Sequence, residues 1–79
     1  MKILFFSQAR NLTGCSEIDW ETEQALPADA LWDQLLTHFP DLKKIRSQTR
    51  LSRNGELATP KTQFHNTDEV ALIPPVSGG

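Results

Sequence analysis

"PADALWDQLLTHFP" occupies residues 27–40. Leu31, Leu35 and Phe39 recur every fourth residue, and Trp32 and Leu36 widen the stripe. That spacing predicts an amphipathic helix with one apolar face. Pro27 marks its entrance and Pro40 its stop. Every other segment of the chain takes its meaning from its position before or after this helix.

Immediately before it, "SEIDWETEQ" (16–24) sets Ile18 and Trp20 two apart among charges, the period of a strand with one apolar face. Further out, "KILFFSQ" (2–8) is a short apolar and aromatic run that reads as a strand. "ARNLTG" (9–14) lies between the two and has room for one helical turn ending at Gly14. The two strands are expected to pair antiparallel across it. Beyond the helix, "DLKKIRSQ" has room for another turn, and "TRLSRNGEL" (49–57) reads as a short strand with Asn54-Gly55 supplying turn chemistry before Glu56-Leu57. "TPKTQFHNTD" (59–68) reads as a loop. "EVALIPPV" (69–76) reads as the last strand, ended by Pro74 and Pro75, which cannot donate to a ladder.

The resulting order, β-β-α-β-β, is an α+β arrangement: a mixed sheet with one main helix across one face. Strand parity then assigns the faces. Ile3 and Phe5 share one side of the first strand, and Lys2, Leu4 and Phe6 the other. Lys2 is a poor core residue, so Ile3 and Phe5 are expected under the helix. In the last strand Val70 and Leu72 form one set and Ala71 and Ile73 the other. If the two strands are neighbours, Leu4, Phe6, Ala71 and Ile73 form an apolar patch on the uncovered face, and such patches mark interaction surfaces.

The chain has 79 residues, with 38% hydrophobic and 23% charged residues and a formal net charge of −2. This composition fits one small folded domain. Its charge gives no reason to bind nucleic acid or an anionic membrane. The apolar runs are too short to span a bilayer and no signal peptide is readable. The single Cys15 excludes an internal disulfide framework and makes a reducing cytoplasm the expected compartment. Cys15 lacks a basic neighbour and reads as an ordinary small residue. His38 and His65 lack carboxylate or cysteine company in the sequence, so no metal site is expected. Trp20 and Trp32 read as core or rim aromatics. "KKIR" (43–46) reads as a solvated basic cluster that could touch an acidic partner.

The chain closes on "VSGG", residues that bury little and have much backbone freedom to lose. Such a stretch is either inert or the working part, and the two ends of the sequence bear on the choice. "KILFFSQARNLTG" and "DEVALIPPVSGG" resemble the small subunit of molybdopterin synthase, a ubiquitin-like sulfur carrier of the β-grasp fold. The resemblance covers the chain in length and element order, and the last dozen residues are its specific part. "SRNGEL" resembles the family's Val-Asn segment, with Asn54 at the asparagine. Where the family commonly has Asp-Gly-Asp-Glu-Val, this chain has Asn66-Thr67-Asp68-Glu69-Val70, without the tight glycine turn.

The resemblance implies a β-grasp domain over 1–76 and a flexible Gly-Gly tail over 77–79. It implies chemistry at Gly79. An adenylating partner similar to ubiquitin-activating enzymes, using ATP and Mg, would activate the terminal carboxylate, and a persulfide donor would convert it to a thiocarboxylate. That sulfur would go to a cyclic pyranopterin phosphate on the large synthase subunit. The chain would be no catalyst alone and would bind no cofactor itself. Gly78 would permit threading through a narrow tunnel, while Phe6, Leu57, Ile73, Pro74, Pro75, Val76 and Ser77 would contact partners. Extended, Pro74 to Gly79 reaches roughly 20 Å. Two other roles share this ending: the sulfur carrier of thiamine-thiazole synthesis, and a ubiquitin-like covalent modifier joined through Gly79 to lysine.

Overall fold

Ala28–His38 forms the central helix, α2. Leu31, Trp32 and Leu35 are buried beneath it, and Leu36 and Phe39 pack against the same core. The helix stops where Phe39 leaves helical geometry at φ −126°, as expected of a residue that precedes proline. Its N–H still closes the last turn on Leu35 O at 2.7 Å. The computed structural model describes residues 1–75. The expectations placed on Val76, Ser77, Gly78 and Gly79, including the boundary between domain and tail, lie outside the described residues.

A five-stranded sheet lies under α2. Its strands are β1 (Lys2–Phe5), β2 (Glu17–Asp19), β4 (Arg50–Arg53), β5 (Glu56–Leu57) and β7 (Glu69–Ile73). They lie in the order β2-β1-β7-β4-β5. β1 and β7 run parallel at the centre, and the other pairings are antiparallel. The expected parity holds: Ile3, Phe5, Val70 and Leu72 are each at most 1% exposed and form the core with α2. Phe5 meets Phe39 edge to face, with ring centroids 5.5 Å apart. This is the mixed-sheet, single-main-helix arrangement of a ubiquitin-like β-grasp domain.

Several local expectations are corrected. The first strand ends at Phe5 rather than residue 8, because Ser7–Thr13 forms a second helix, α1. Ser7 turns the chain with φ +48° and Gly14 closes the helix in the left-handed region at φ +76°. The strand expected over 16–24 is confined to Glu17–Asp19; Trp20 follows it and donates its ring N–H to Gln34 at 2.8 Å. After α2 the chain makes two 3₁₀ turns, Pro40–Lys44 and Arg46–Gln48, which bury Leu42 and Ile45.

The 59–68 segment is more than a loop. Gln63–Phe64 forms β6, paired antiparallel with β3 (Leu26–Pro27) at the entrance to α2. Phe64 is fully buried. This segment packs on the helix side, so it leaves the opposite sheet face open.

Candidate functional site

The open face is set by register. Across the sheet, Glu17, Leu4, Ala71, Ser52 and Leu57 stand in one row. The next row places Arg50 opposite Ile73 at the end of β7. Leu57 is 53% exposed and Phe6 45%, the two large apolar side chains most open to solvent among the described residues. Leu4 and Ile73 are half-buried, while Ala71 and Ser52, small side chains at the middle of the row, are nearly covered. Leu4, Ala71 and Ile73 of the expected patch share this face, with Leu57 its prominent point. Phe6, expected there too, instead lines a groove with Leu72, Ile45 and Thr49, because it lies beyond the β1 ladder where strand parity no longer holds.

Phe6 stands past the end of β1, at the start of α1. Its backbone is extended at φ −120° and ψ 155°, and its carbonyl accepts the Ala9 N–H at 3.0 Å as α1 begins. Pro74 and Pro75 follow directly from β7. On one side they line a groove with Phe6, Ile45 and Thr49. On the other they line a groove with Ile73, Leu57 and Arg50. Five of the expected contact residues, Phe6, Leu57, Ile73, Pro74 and Pro75, thus surround the root of the C-terminal arm. Two prolines hold φ near −65° and stiffen that root. Val76, Ser77, Gly78 and Gly79, the other expected site residues, lie outside the described residues.

At the opposite end of β7, Asn54 ties the β4–β5 hairpin to the start of the strand. Asn54 and Gly55 take positive φ, +51° and +88°, at the tip of the β4–β5 hairpin. The Asn54 side chain donates to Asp68 Oδ1 at 2.9 Å and accepts from the Glu69 N–H at 2.8 Å. Its backbone N–H donates to Glu69 O at 2.7 Å. Asp68 in turn accepts from the His65 N–H at 2.8 Å, closing the His65–Asp68 turn. Burial acts to raise the Asp68 pKa, but the bonds from His65 and Asn54 and the charge of Arg53 outweigh it and hold the carboxyl below its ordinary value. The sequence marked Asn54 as a turn residue; its hold on β7 was not legible there.

The other candidates have structural surroundings. Cys15 is half-buried, with Sγ 3.7 Å from Thr13 O. His38 stacks edge to face with Trp20 and Phe39. His65 lies 3.6 Å from Asp68. Among the described residues, no three His, Cys, Asp or Glu side chains come together. No described helix is long and apolar enough to cross a membrane.

Comparison with known proteins adds family information to this geometry. A model described as the ThiS family matches residues 3–79. The molybdopterin synthase sulfur carrier subunit of Arabidopsis thaliana is 35% identical over 79 residues, covering 100% of this chain and 82% of that protein. The protein of the same name from Drosophila ananassae is 36% identical, covering 98% of this chain and 88% of its own. Among solved structures, SAMP1 from Haloferax volcanii superposes with a TM-score of 0.83 at 25% identity, covering 100% of this chain and 98% of its own. The complex of subunits 1 and 2 of the molybdopterin-converting factor from Helicobacter pylori contains a chain with a TM-score of 0.68 at 20% identity, covering 99% of this chain and 96% of its own. At that identity the likeness concerns the fold alone.

Proposed function

The chain belongs to the ThiS family, and from that membership we propose that it is the sulfur carrier subunit of a molybdopterin synthase. The observation that carries this reading is the 35% identity over the whole chain to a relative of that name. The Pro-Pro root flanked by exposed Phe6 and Leu57 supports it physically: a stiff base beside an apolar docking face presents the arm to a partner.

In this reading Gly79 carries the sulfur. A carboxylate is a poor electrophile, so its oxygen first attacks the α-phosphate of ATP on a separate adenylating enzyme with Mg, and pyrophosphate leaves. The terminal sulfur of a persulfide then attacks the acyl carbon and AMP leaves. A thiol cleaves the remaining S–S bond and frees the thiocarboxylate. The large subunit of the synthase receives the arm and holds a cyclic pyranopterin phosphate, to which the sulfur is transferred. Gly78 lacks a Cβ and would pass through a channel that excludes larger residues. The chain contributes reach, orientation and the acyl group; the binding of ATP and substrate belongs to its partners. A reducing cytoplasm suits a carrier whose product is a thiol acid and whose one cysteine is free.

The test uses chemically thiocarboxylated protein, the large subunit and the pyranopterin precursor, which bypasses adenylation. Wild type converts the precursor, while deletion of Gly79 abolishes conversion and leaves the fold and the complex intact. Loss of one residue retracts the reactive carbon by roughly 3.5 Å, and a misplacement of about 1 Å can cost a hundredfold in rate. Normal turnover by the deletion variant would remove the carrier role. A covalent modifier is the second reading, favoured by the 0.83 TM-score to SAMP1 at 25% identity; conjugates to lysines of other proteins in the native host would identify it.

A further inference from the structure

Leu57 stands at the edge of the sheet. The strand order β2-β1-β7-β4-β5 makes β5 an outer strand. Its two residues pair with β4, Glu56 opposite Arg53 and Leu57 opposite Ser52. The Ala58 N–H adds one bond, to Leu51 O at 2.9 Å. A two-residue strand held from one side is a weak mount. Yet it carries the most exposed large apolar side chain among the described residues. Leu57 also shares a groove with Ile73, Pro74 and Pro75 at the root of the arm.

The hairpin has a second anchor at its tip. Arg53 and Glu56 pair across a two-residue turn in which Asn54 and Gly55 both take positive φ, as a type I′ turn requires. Glycine at both positions would satisfy that turn. The Asn54 side chain does more, because it crosses to the neighbouring strand. It donates to Asp68 Oδ1 at 2.9 Å and accepts the Glu69 N–H at 2.8 Å. Glu69 opens β7, whose other end, Ile73, leads into Pro74 and Pro75. β7 lies between β1 and β4 with Val70 and Leu72 fully buried, so it is the fixed member of the pair. The hairpin carries Leu57, β7 carries the arm, and Asn54 joins them.

We propose that Asn54 is a positioning residue for docking: its side chain clamps the β4–β5 hairpin to β7 and so holds Leu57 beside the arm root for the large subunit. This rests on the carrier reading above. An anchor held in place before the encounter need not be ordered at the interface, and that saving appears as affinity. With the clamp removed, Leu57 keeps its area but loses its fixed place, so affinity falls although no contact residue has changed. The buried core takes no residue from 53 to 57, so the fold does not depend on where Leu57 stands.

The test uses Asn54→Gly in the full chain, which keeps the turn and removes the side-chain bonds. In the free protein, amide exchange at Ala58, whose N–H holds the end of β5 to β4, should quicken about 10-fold relative to the amides of β1. In calorimetric titration with the large subunit from the same source, affinity should fall about 5-fold, and adding Asn54→Gly to Leu57→Ala should cost nothing further. The double variant Asn54→Asp with Asp68→Asn exchanges the donor and acceptor of the bond and should bind as wild type. Asn54→Asp alone sets two carboxylates against each other and should bind more weakly. This second pair carries the test if Asn54→Gly fails to fold, and equal affinities of its two members overturn the clamp. Wild-type affinity or unchanged Ala58 exchange in Asn54→Gly, or an equal loss of affinity with and without Leu57, also overturns it and leaves the carrier reading standing. If wild type forms no complex, both are overturned.

Discussion

Asn54 holds Asp68 across the sheet end: its side-chain amide donates to the Asp68 carboxylate at 2.9 Å while its oxygen takes the N–H of Glu69 at 2.8 Å. One side chain thereby ties the β4–β5 hairpin to the start of the strand whose far end bears the arm. Asn54→Ala removes both bonds and places a side chain poorly suited to φ +51° in the left-handed region. The expected loss is about 1–3 kcal/mol, read from urea unfolding. Asn54→Gly keeps the conformation and should lose less.

The same pair predicts a pH dependence. The folded Asp68 pKa lies below the ordinary value of 3.8. A depressed carboxyl pKa contributes stability that is fully present above the unfolded pKa and is lost as pH falls through the folded one. The urea midpoint of wild type should therefore fall as pH drops below about 4. Asp68→Asn should be less stable at neutral pH and lose part of that acid slope. An unchanged slope would show that other carboxyls carry it.

Adjacent phenylalanines should behave oppositely. Phe5 is 1% exposed and Phe6 is 45% exposed. Phe5→Ala should cost roughly 3–5 kcal/mol of stability through the cavity it leaves. Phe6→Ala should shift stability by under about 1 kcal/mol, but weaken the complex with the large subunit as the loss of an apolar anchor. Calorimetric unfolding and titration of the two variants separate these roles, and the reverse pattern would invert the face assignment.

Phe64 tests a part of the core that the sequence hid. It is fully buried and packs with α2, Leu31 and Leu35 being core members of that helix. Phe64→Ala should cost roughly 3–5 kcal/mol in thermal or urea unfolding, as much as Phe5→Ala. A loss near zero would mean that the β3–β6 pair is dispensable.

These cases mark what was legible. The helix over Ala28–His38 and the core parity of Ile3, Phe5, Val70 and Leu72 followed from periodicity, because those elements are long enough to show their repeat. β3 and β6 have two residues each, too few for any period, and their pairing is a long-range contact. α1 was legible only as a turn, since seven residues are marginal without the packing that buries Ala9. The expected contact residues came from the family resemblance rather than from periodicity. The groove in which Arg50 stands opposite Ile73 was not legible, because it depends on the pairing of β4 with β7.

The central claim is that Gly79 is the atom-bearing end of a sulfur carrier. The most direct measurement is the intact mass of the protein purified from its native host, with fragmentation to locate any change. The account predicts a population in which one oxygen of the Gly79 carboxyl is replaced by sulfur, lost on treatment with a thiol-alkylating reagent in favour of the alkylated form. A population found only as the unmodified acid, or joined through Gly79 to lysines of other proteins, would contradict it.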